Sequence, residues 1–190
     1  MIWLRQGDYP ELTFTHRLRQ GGVETNVAKS GCGLCSLCMV VDGLTTQTLS
    51  LEECVRLYNE SGAGIGVGTN MKILGPVVAE QFDLDYVETN DEQELADWLR
   101  RGGMAVIHVG GDREGHVGLF SHGGHYVAAV SCDGDELCIL DPSYKPDKFD
   151  EEGRQGKVRT DGAPFLYCSL SDALADTLNR DPHFHLFRRK

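Results

Sequence analysis

The sequence predicts an α+β fold, because helix-like segments fill its first half and strand-like segments follow in its second half. Four segments with helical periodicity precede residue 104, and three strand-like segments lie between residues 104 and 140. Asp133-Gly134 joins the last two of these strands and is a dipeptide typical of tight hairpin turns. The sheet is therefore expected to be antiparallel. A length of 190 residues suits one domain, and we predict that residues 1–190 form a single unit.

The first half is predicted to begin with an irregular stretch that holds one strand, at residues 12–18, where apolar and polar side chains alternate. Residues 33–44 are apolar on nearly all sides, which indicates a helix buried on most of its faces. The segment Ser-Leu-Glu-Glu from Ser50 to Glu53 has the pattern of a capping box and predicts the start of a second helix.

Two further helices are predicted before the strands. One lies at Met71–Gln81, capped by Thr69 or Asn70, and the other at residues 91–101, capped by Asn90. The remaining predicted elements are strands at residues 84–87, 104–109, 125–132, 136–140 and 184–187, a polar loop at residues 141–164 and a helix at residues 170–178.

The charge of the chain disfavours two classes of partner. The formal net charge is -11 and the isoelectric point is about 5.0, so the surface repels nucleic acid phosphates and gives no attraction to anionic lipids. The N-terminus lacks the apolar run of a signal peptide, and no stretch is long and apolar enough for a membrane helix. We therefore expect a cytoplasmic protein that binds neither nucleic acid nor membranes. The acidic excess weakly favours a basic peptide as substrate.

The sequence contains three cysteines spaced three residues apart: Cys32, Cys35 and Cys38. This spacing is compatible with a metal site, a redox pair or one reactive thiol. An iron–sulfur run would need a fourth cysteine and a proline, but Asp and Gly occupy positions 42 and 43. A zinc site would need a second Cys-x-x-Cys, and a thioredoxin-like pair would lie in a βαβ unit; the sequence contains neither. We expect no metal and no other cofactor, and four of the cysteines are expected to be buried hydrophobic residues: Cys54, Cys132, Cys138 and Cys168.

Cys32 has the surroundings of a nucleophile. It lies between two glycines at the predicted start of a helix, where the partial positive charge of the helix favours a thiolate. Backbone N–H groups at a helix start are also free to bind an oxyanion. A nucleophilic cysteine then requires a histidine and a group that orients this histidine.

His125 and Asp141 are the best candidates for these two roles. His125 follows two glycines and opens an apolar strand, and Asp141 follows the last residue of the next strand. Neighbouring residues across a hairpin lie about 5 Å apart, so a carboxylate at position 141 would reach the imidazole and hold its tautomer. The other histidines are weaker candidates: His116 and His122 match no usual metal-binding spacing with His125, and His185 is expected at the surface.

The motifs around these residues resemble those of a known family. "SGCG" opens an apolar helix, "GGHYVAAV" opens a strand and "LDPS" closes the next strand. In this order they resemble the papain-clan cysteine peptidases of the bacteriocin-leader (double-glycine) peptidase type. The resemblance also includes "GVGTN" before a helix and "GGMAVIHV", and it covers residues 26–143.

The resemblance implies a papain-like α+β fold, in which an N-terminal catalytic helix packs against a C-terminal antiparallel sheet. It implies that a peptide or protein substrate is cleaved through a thioester, without a metal. In this chain it assigns the nucleophile to Cys32, the general base to His125 and the orienting carboxylate to Asp141. Many relatives have an oxyanion glutamine six residues before the cysteine; that position is Asn26 here, and Gln20 is the alternative.

We therefore predict a cysteine peptidase or amidohydrolase. One alternative is an acyl or peptidyl transferase of the transglutaminase type, because hydrolysis and transfer use the same residues. A second alternative is a peptide-binding module of the same fold without catalysis, and a third is a metal-binding regulator that uses the cysteines and histidines. The sequence does not predict the oligomeric state.

Overall fold

The structure is a computed structural model that describes residues 1–18, 21–64, 66 and 68–190. Gln20, the alternative oxyanion residue, lies outside the described residues. The described helices are α1 (Val27–Ser30), α2 (Cys32–Leu44), α3 (Leu51–Ser61), α4 (Met71–Gln81), α5 (Glu92–Arg100) and α6 (Leu170–Ala175). The described strands are β1 (Thr13–Leu18), β2 (Gly21–Asn26), β3 (Leu84–Thr89), β4 (Met104–Val109), β5 (His125–Asp133), β6 (Glu136–Leu140), β7 (Val158–Arg159), β8 (Phe165–Ser169) and β9 (Phe184–Arg189).

The strands form two antiparallel sheets. Strands β1 and β2 pair as a separate hairpin, and the other seven described strands form one sheet in the order β3-β9-β4-β5-β6-β8-β7. The predicted hairpin across Asp133-Gly134 is present as the β5–β6 pair. The predicted α+β class with an antiparallel sheet is therefore confirmed.

The central strands are buried on both faces of the large sheet. In β4, Met104 and Val106 belong to the apolar core on the side of α2, α3 and α4. Ala105, Ile107 and Val109 belong to a second core on the other face, which α5 covers. Burial on both faces explains why β4 and β5 have nearly continuous apolar sequences without alternation.

Helix α2 lies inside the first core. Its side chains from Leu34 to Val41 are fully buried, and it packs against β5 and β4. The prediction from the resemblance, an N-terminal helix on a C-terminal antiparallel sheet, is confirmed. This packing holds the first residue of α2 next to the first residue of β5, which positions the site described below.

Several local predictions differ from the structure. The stretch before Asn26, expected to be irregular, forms β2, and the C-terminal part of the predicted loop at residues 141–164 contains β7. The cap of α5 is Asp91, not Asn90, because the Asn90 amide instead bonds Asp181 and the backbone of His183. None of the described helices is long and apolar enough to cross a membrane.

Candidate active site

Cys32 is the first residue of α2 and follows the short helix α1 with only Gly31 between them. The next residue, Gly33, lies against the segment that precedes α4: a Cβ atom at Gly33 would be 2.7 Å from Oγ1 of Thr69. This close approach requires glycine at position 33. It also places Thr69 on the wall of the cleft beside the Cys32 thiol.

The sheet brings His125 and Asp141 together. His125 begins β5, and Asp141 directly follows β6, which pairs antiparallel with β5. His125 Nε2 lies 2.8 Å from Asp141 Oδ1. Both side chains are buried, Asp141 completely, so water does not compete for this hydrogen bond.

The Cys32 thiol lies next to the His125 ring, and each group shifts the pKa of the other. Because Nε2 of His125 faces Asp141, and Ser143 Oγ at 3.1 Å, Nδ1 is the ring nitrogen left for the thiol. The structure therefore brings together three of the four predicted site residues, in the order Cys32, His125, Asp141.

The surroundings of the two groups favour a charged pair. Burial alone would raise the pKa of the Cys32 thiol, but the positive charge of His125 and N–H donors from Tyr126 and Gly33 bring it below its usual value. Burial would likewise lower the pKa of His125, but the negative charges of Cys32 and Asp141 raise it to about 9. A thiolate and an imidazolium stabilise each other in this arrangement.

Lys148 is a member of the site that the sequence did not predict. Its ammonium donates to Asp141 Oδ2, the oxygen that His125 does not use, and to Ser143 Oγ at 2.6 Å. The side chain is 6% exposed. A lysine within a polar loop usually lies at the surface, so no sequence signal distinguished this one.

The N-terminal segment adds Gln6 to the site. Its backbone N–H donates to Pro142 O at 2.8 Å, and its side-chain Nε2 donates to Ala28 O at 3.1 Å. Trp3 Nε1 donates to Asp141 O at 3.0 Å and holds the same segment in place. Gln6 lines the cleft together with Cys32.

The structure does not place Asn26 with the other predicted site residues. Asn26 is the N-cap of α1, and its Oδ1 accepts a hydrogen bond from Lys29 N at 3.0 Å. Among the described residues that line the cleft, Asn26 is not present. Among the described residues that line the cleft, the residue with a side-chain amide is Gln6. It precedes Cys32 by 26 residues, and the β1–β2 hairpin accounts for part of this separation.

An open cleft of about 540 Å³ runs past the thiol. Cys32 is partly exposed in this cleft. The residues that line the cleft are Gln6, Lys29, Ser30, Cys32, Gly68, Thr69, His108, Ser121, Gly124, His125, Tyr126, Ser143 and Arg180.

His116 and His122 do not converge with His125. His116 bonds Asp176 and His122 bonds Asp112, two separate carboxylates. In the described part of the chain, no group of three or more potential ligands has a metal-binding arrangement. His185 is buried, at 1% exposure, and bonds the hydroxyl of Tyr86, so the prediction that it lies at the surface was wrong.

The other cysteines are buried, as the sequence predicted for four of them. Cys35 and Cys38 are fully inaccessible on α2. Burial is the main cause that raises the pKa of Cys35, whereas contact with Cys54 is the main cause for Cys38. Cys32 is therefore the cysteine of this cluster with both access to the cleft and a lowered thiol pKa.

Several solved structures are similar to this chain, although no protein-family model and no curated protein matches it. One is the peptidase domain of Streptococcus ComA, a bifunctional ABC transporter involved in a quorum-sensing pathway. It is 13% identical with a TM-score of 0.54, over 85% of this chain and 93% of that domain. A second, from Bacillus anthracis, is described as a candidate C39-like peptidase. It is 11% identical with a TM-score of 0.56, over 100% of this chain and 99% of that one. The chain therefore has the fold of C39-type peptidase domains, which confirms the predicted resemblance at the level of the fold.

Proposed function

We propose that the protein is a cysteine peptidase or amidohydrolase that cleaves a peptide or amide bond through a thioester on Cys32. The observation that carries this proposal is the buried chain of contacts from the Cys32 thiol through the His125 ring to the Asp141 carboxylate. A thiol at a helix start, a histidine beside it and a carboxylate behind the histidine are the groups that nucleophilic acyl transfer requires.

In the proposed mechanism, the Cys32 thiolate attacks the substrate carbonyl while His125 carries the proton on Nδ1. The developing oxyanion accepts hydrogen bonds from the Cys32 N–H and from Nε2 of Gln6, which takes the role that the sequence suggested for Asn26. His125 then protonates the leaving amine, and the thioester forms. Water attacks the thioester with His125 as base and regenerates the thiol.

Asp141 holds the His125 ring with Nδ1 directed at the thiol and stabilises its positive charge. Lys148 and the N–H of Ser143 hold Asp141 itself, at Oδ2 and Oδ1 respectively. Each group in the series from the Cys32 thiol to the Lys148 ammonium is therefore held in place by its neighbour. This arrangement reduces the reorganisation of the site needed during the reaction.

The alkylation rate of each cysteine by iodoacetamide between pH 4 and 9 tests the proposal. We expect Cys32 to react quickly below pH 7, where an ordinary thiol is protonated, and His125→Ala to remove this advantage. Cys132, a buried cysteine whose thiol pKa is raised mainly by burial, is the internal control for an unactivated thiol within the same peptide map.

Cleavage of fluorescein-labelled casein, with Cys32→Ser as the inactive control, then tests hydrolysis directly. Slow alkylation of Cys32 at every pH, equal to that of Cys132, would contradict the proposal and favour the non-catalytic binding module. Rapid alkylation together with labelling of casein by an added amine, and without hydrolysis, would favour the transferase.

A further inference from the structure

Apart from the Cys32 thiol, the charged residues that line the cleft are cationic or able to become cationic. Apart from the histidines they are Lys29 and Arg180, and the described lining contains no aspartate or glutamate. This contrasts with the whole chain, whose formal net charge is -11. The cleft is therefore locally positive within an acidic protein, opposite to what the net charge alone indicates for a substrate.

Arg180 is held rigidly at the wall of this cleft. Its Nε donates to Val109 O and its Nη2 to Gly110 O, both at 3.3 Å. Val109 is the residue of β4 that pairs with His125, so the guanidinium is anchored directly beside the site. Carbonyl groups at the end of β4 and directly after it therefore hold the guanidinium.

Gly124, the residue before His125, makes room for this guanidinium. A Cβ atom at position 124 would lie 2.6 Å from Arg180 Nη2. The glycine pair that opens β5 therefore brings Arg180 against the backbone that carries His125.

Among the described residues, no carboxylate forms an ion pair with Arg180. Its side-chain contacts within the described residues are with the two carbonyl oxygens and not with a carboxylate. Burial, and after it the charge of Arg180, lowers the pKa of the adjacent His108 to about 3. The Arg180 guanidinium and the His125 imidazolium repel each other, which raises the free energy of the site without a ligand. A carboxylate ligand would offset this repulsion with paired hydrogen bonds to the guanidinium.

Resting on the peptidase function proposed above, we propose that the substrate carries a carboxylate within a few residues of the scissile bond and that Arg180 binds it, with Lys29 as a second cation in the cleft. The carboxylate belongs to an acidic side chain or to a free C-terminus near the cleavage point; both have the chemistry that a guanidinium recognises. Arg180 is thus a specificity-determining residue that favours acidic peptides over neutral and basic ones.

Alkylation of Cys32 by iodoacetate and by iodoacetamide tests the charge without a known substrate, because the two reagents differ by one carboxylate. We expect the iodoacetate-to-iodoacetamide rate ratio to fall about three- to tenfold in Arg180→Gln and to be largely kept in Arg180→Lys. Arg101→Gln is the matched control: Arg101 is exposed and precedes β4, at the opposite end of this strand from Val109. An unchanged ratio in Arg180→Gln, or an equal fall in Arg101→Gln, overturns the proposal.

Cleavage of a proteome-derived peptide library, with free or amidated C-termini, identifies the source of the carboxylate. We expect Asp and Glu to be enriched near the cleavage sites of the wild-type enzyme, and Arg180→Gln to lose this enrichment. Cleavage confined to the library with free C-termini assigns the carboxylate to the chain end. Cleavage without acidic enrichment in either library overturns the inference but leaves the peptidase function intact. If no peptide is cleaved and Cys32 is not rapidly alkylated, the proposed function fails and the inference fails with it.

Discussion

The ammonium of Lys148 forms a buried ion pair with Oδ2 of Asp141. The other oxygen of the same carboxylate accepts from His125 at 2.8 Å, so one buried anion is shared by two cations. Burial would raise the pKa of Asp141, but Lys148 and then His125 lower it well below its usual range. With a thiolate on Cys32, the four charges of the site sum to zero, which lowers the cost of burying them.

Lys148→Met is expected to move the titration of His125 to higher pH. Without the ammonium, the charge of Asp141 acts on the imidazolium uncompensated, so the pKa of His125 rises above its value of about 9. The upper inflection in the pH profile of Cys32 alkylation measures this shift. Methionine keeps the length of the side chain, and Lys145→Met, at an exposed neighbouring position, is the matched control.

The same Lys148→Met variant should lower the free energy of unfolding by about 3–5 kcal/mol, since it leaves one oxygen of a buried carboxylate without its cation. Urea denaturation measures the loss, and circular dichroism shows the conditions in which the variant is folded. A loss of stability with an unmoved upper inflection would mean that Lys148 stabilises the loop without influencing His125.

Gln6→Ala and Asn26→Ala distinguish the two candidates for the oxyanion donor. Removing a side-chain donor to the oxyanion typically lowers kcat by about 10²–10³-fold, and we expect this for Gln6→Ala with little change in KM. The rate of Cys32 alkylation should stay unchanged, because alkylation by iodoacetamide forms no oxyanion. The best-cleaved peptide of the library serves as the substrate.

Asn26→Ala should instead cost about 1 kcal/mol of stability and leave kcat nearly unchanged, because it removes the N-cap of α1. A large loss of kcat in Asn26→Ala together with an active Gln6→Ala would restore the assignment suggested by the sequence. Thermal denaturation of both variants separates the structural effect from the kinetic one.

The protonation of His125 is expected to depend on Cys32. The negative charges of Cys32 and Asp141 overcome the effect of burial and raise the pKa of His125 to about 9, so the wild-type ring stays protonated at pH 8. In Cys32→Ser the neutral hydroxyl removes the first of these charges, and the pKa should fall. Nuclear magnetic resonance titration of the imidazole signals measures the change.

His108 and His185 provide reference signals in the same spectra. Burial is the main cause that lowers the pKa of each to about 3, so both rings stay neutral through the titration of His125. An identical His125 titration in wild type and Cys32→Ser would show that the thiol is not ionised next to the imidazole.

The parts of the fold that the sequence predicted are those with a strong local pattern. Residues 33–44 are apolar on nearly all sides and form most of the buried helix α2, and the Asp133-Gly134 turn forms the β5–β6 hairpin. Because the hairpin register determines which residues are neighbours, the contact of His125 with Asp141 followed from the pattern as well.

The parts that the sequence did not predict depend on contacts between distant segments. Gln6 reaches the cleft because its backbone bonds Pro142, and the β1–β2 hairpin inserted before Cys32 removes any fixed spacing between Gln6 and the thiol. Likewise, a lysine at position 148 has no local feature that indicates burial; its burial results from the carboxylate at position 141. Periodicity and spacing carry no information on such pairs.

A buried carboxylate at Asp176 holds the loop that leads to His125, and its removal should weaken both the fold and the reaction. Asp176 is fully buried and accepts from the backbone N–H groups of Leu119 and Phe120, at 2.8 and 3.1 Å, and from His116 Nε2 at 2.8 Å. In Asp176→Ala these donors lose their partner, which costs about 1–3 kcal/mol for each buried donor left without one. We therefore expect a fall of several kcal/mol in the free energy of unfolding by urea.

The same variant should lower kcat more than it changes KM. The loop that begins at Leu119 positions the backbone of His125, and an imidazole displaced with this loop loses its alignment with the Cys32 thiol. Asp112→Ala is the matched control, since this exposed carboxylate accepts from Gly118 N at 2.8 Å in the same loop. Equal effects of the two substitutions on stability and on Cys32 alkylation would show that burial of Asp176 has no special role in positioning His125. A large effect confined to Asp176→Ala would show that the buried end of the loop, and not its exposed end, maintains the geometry of the site.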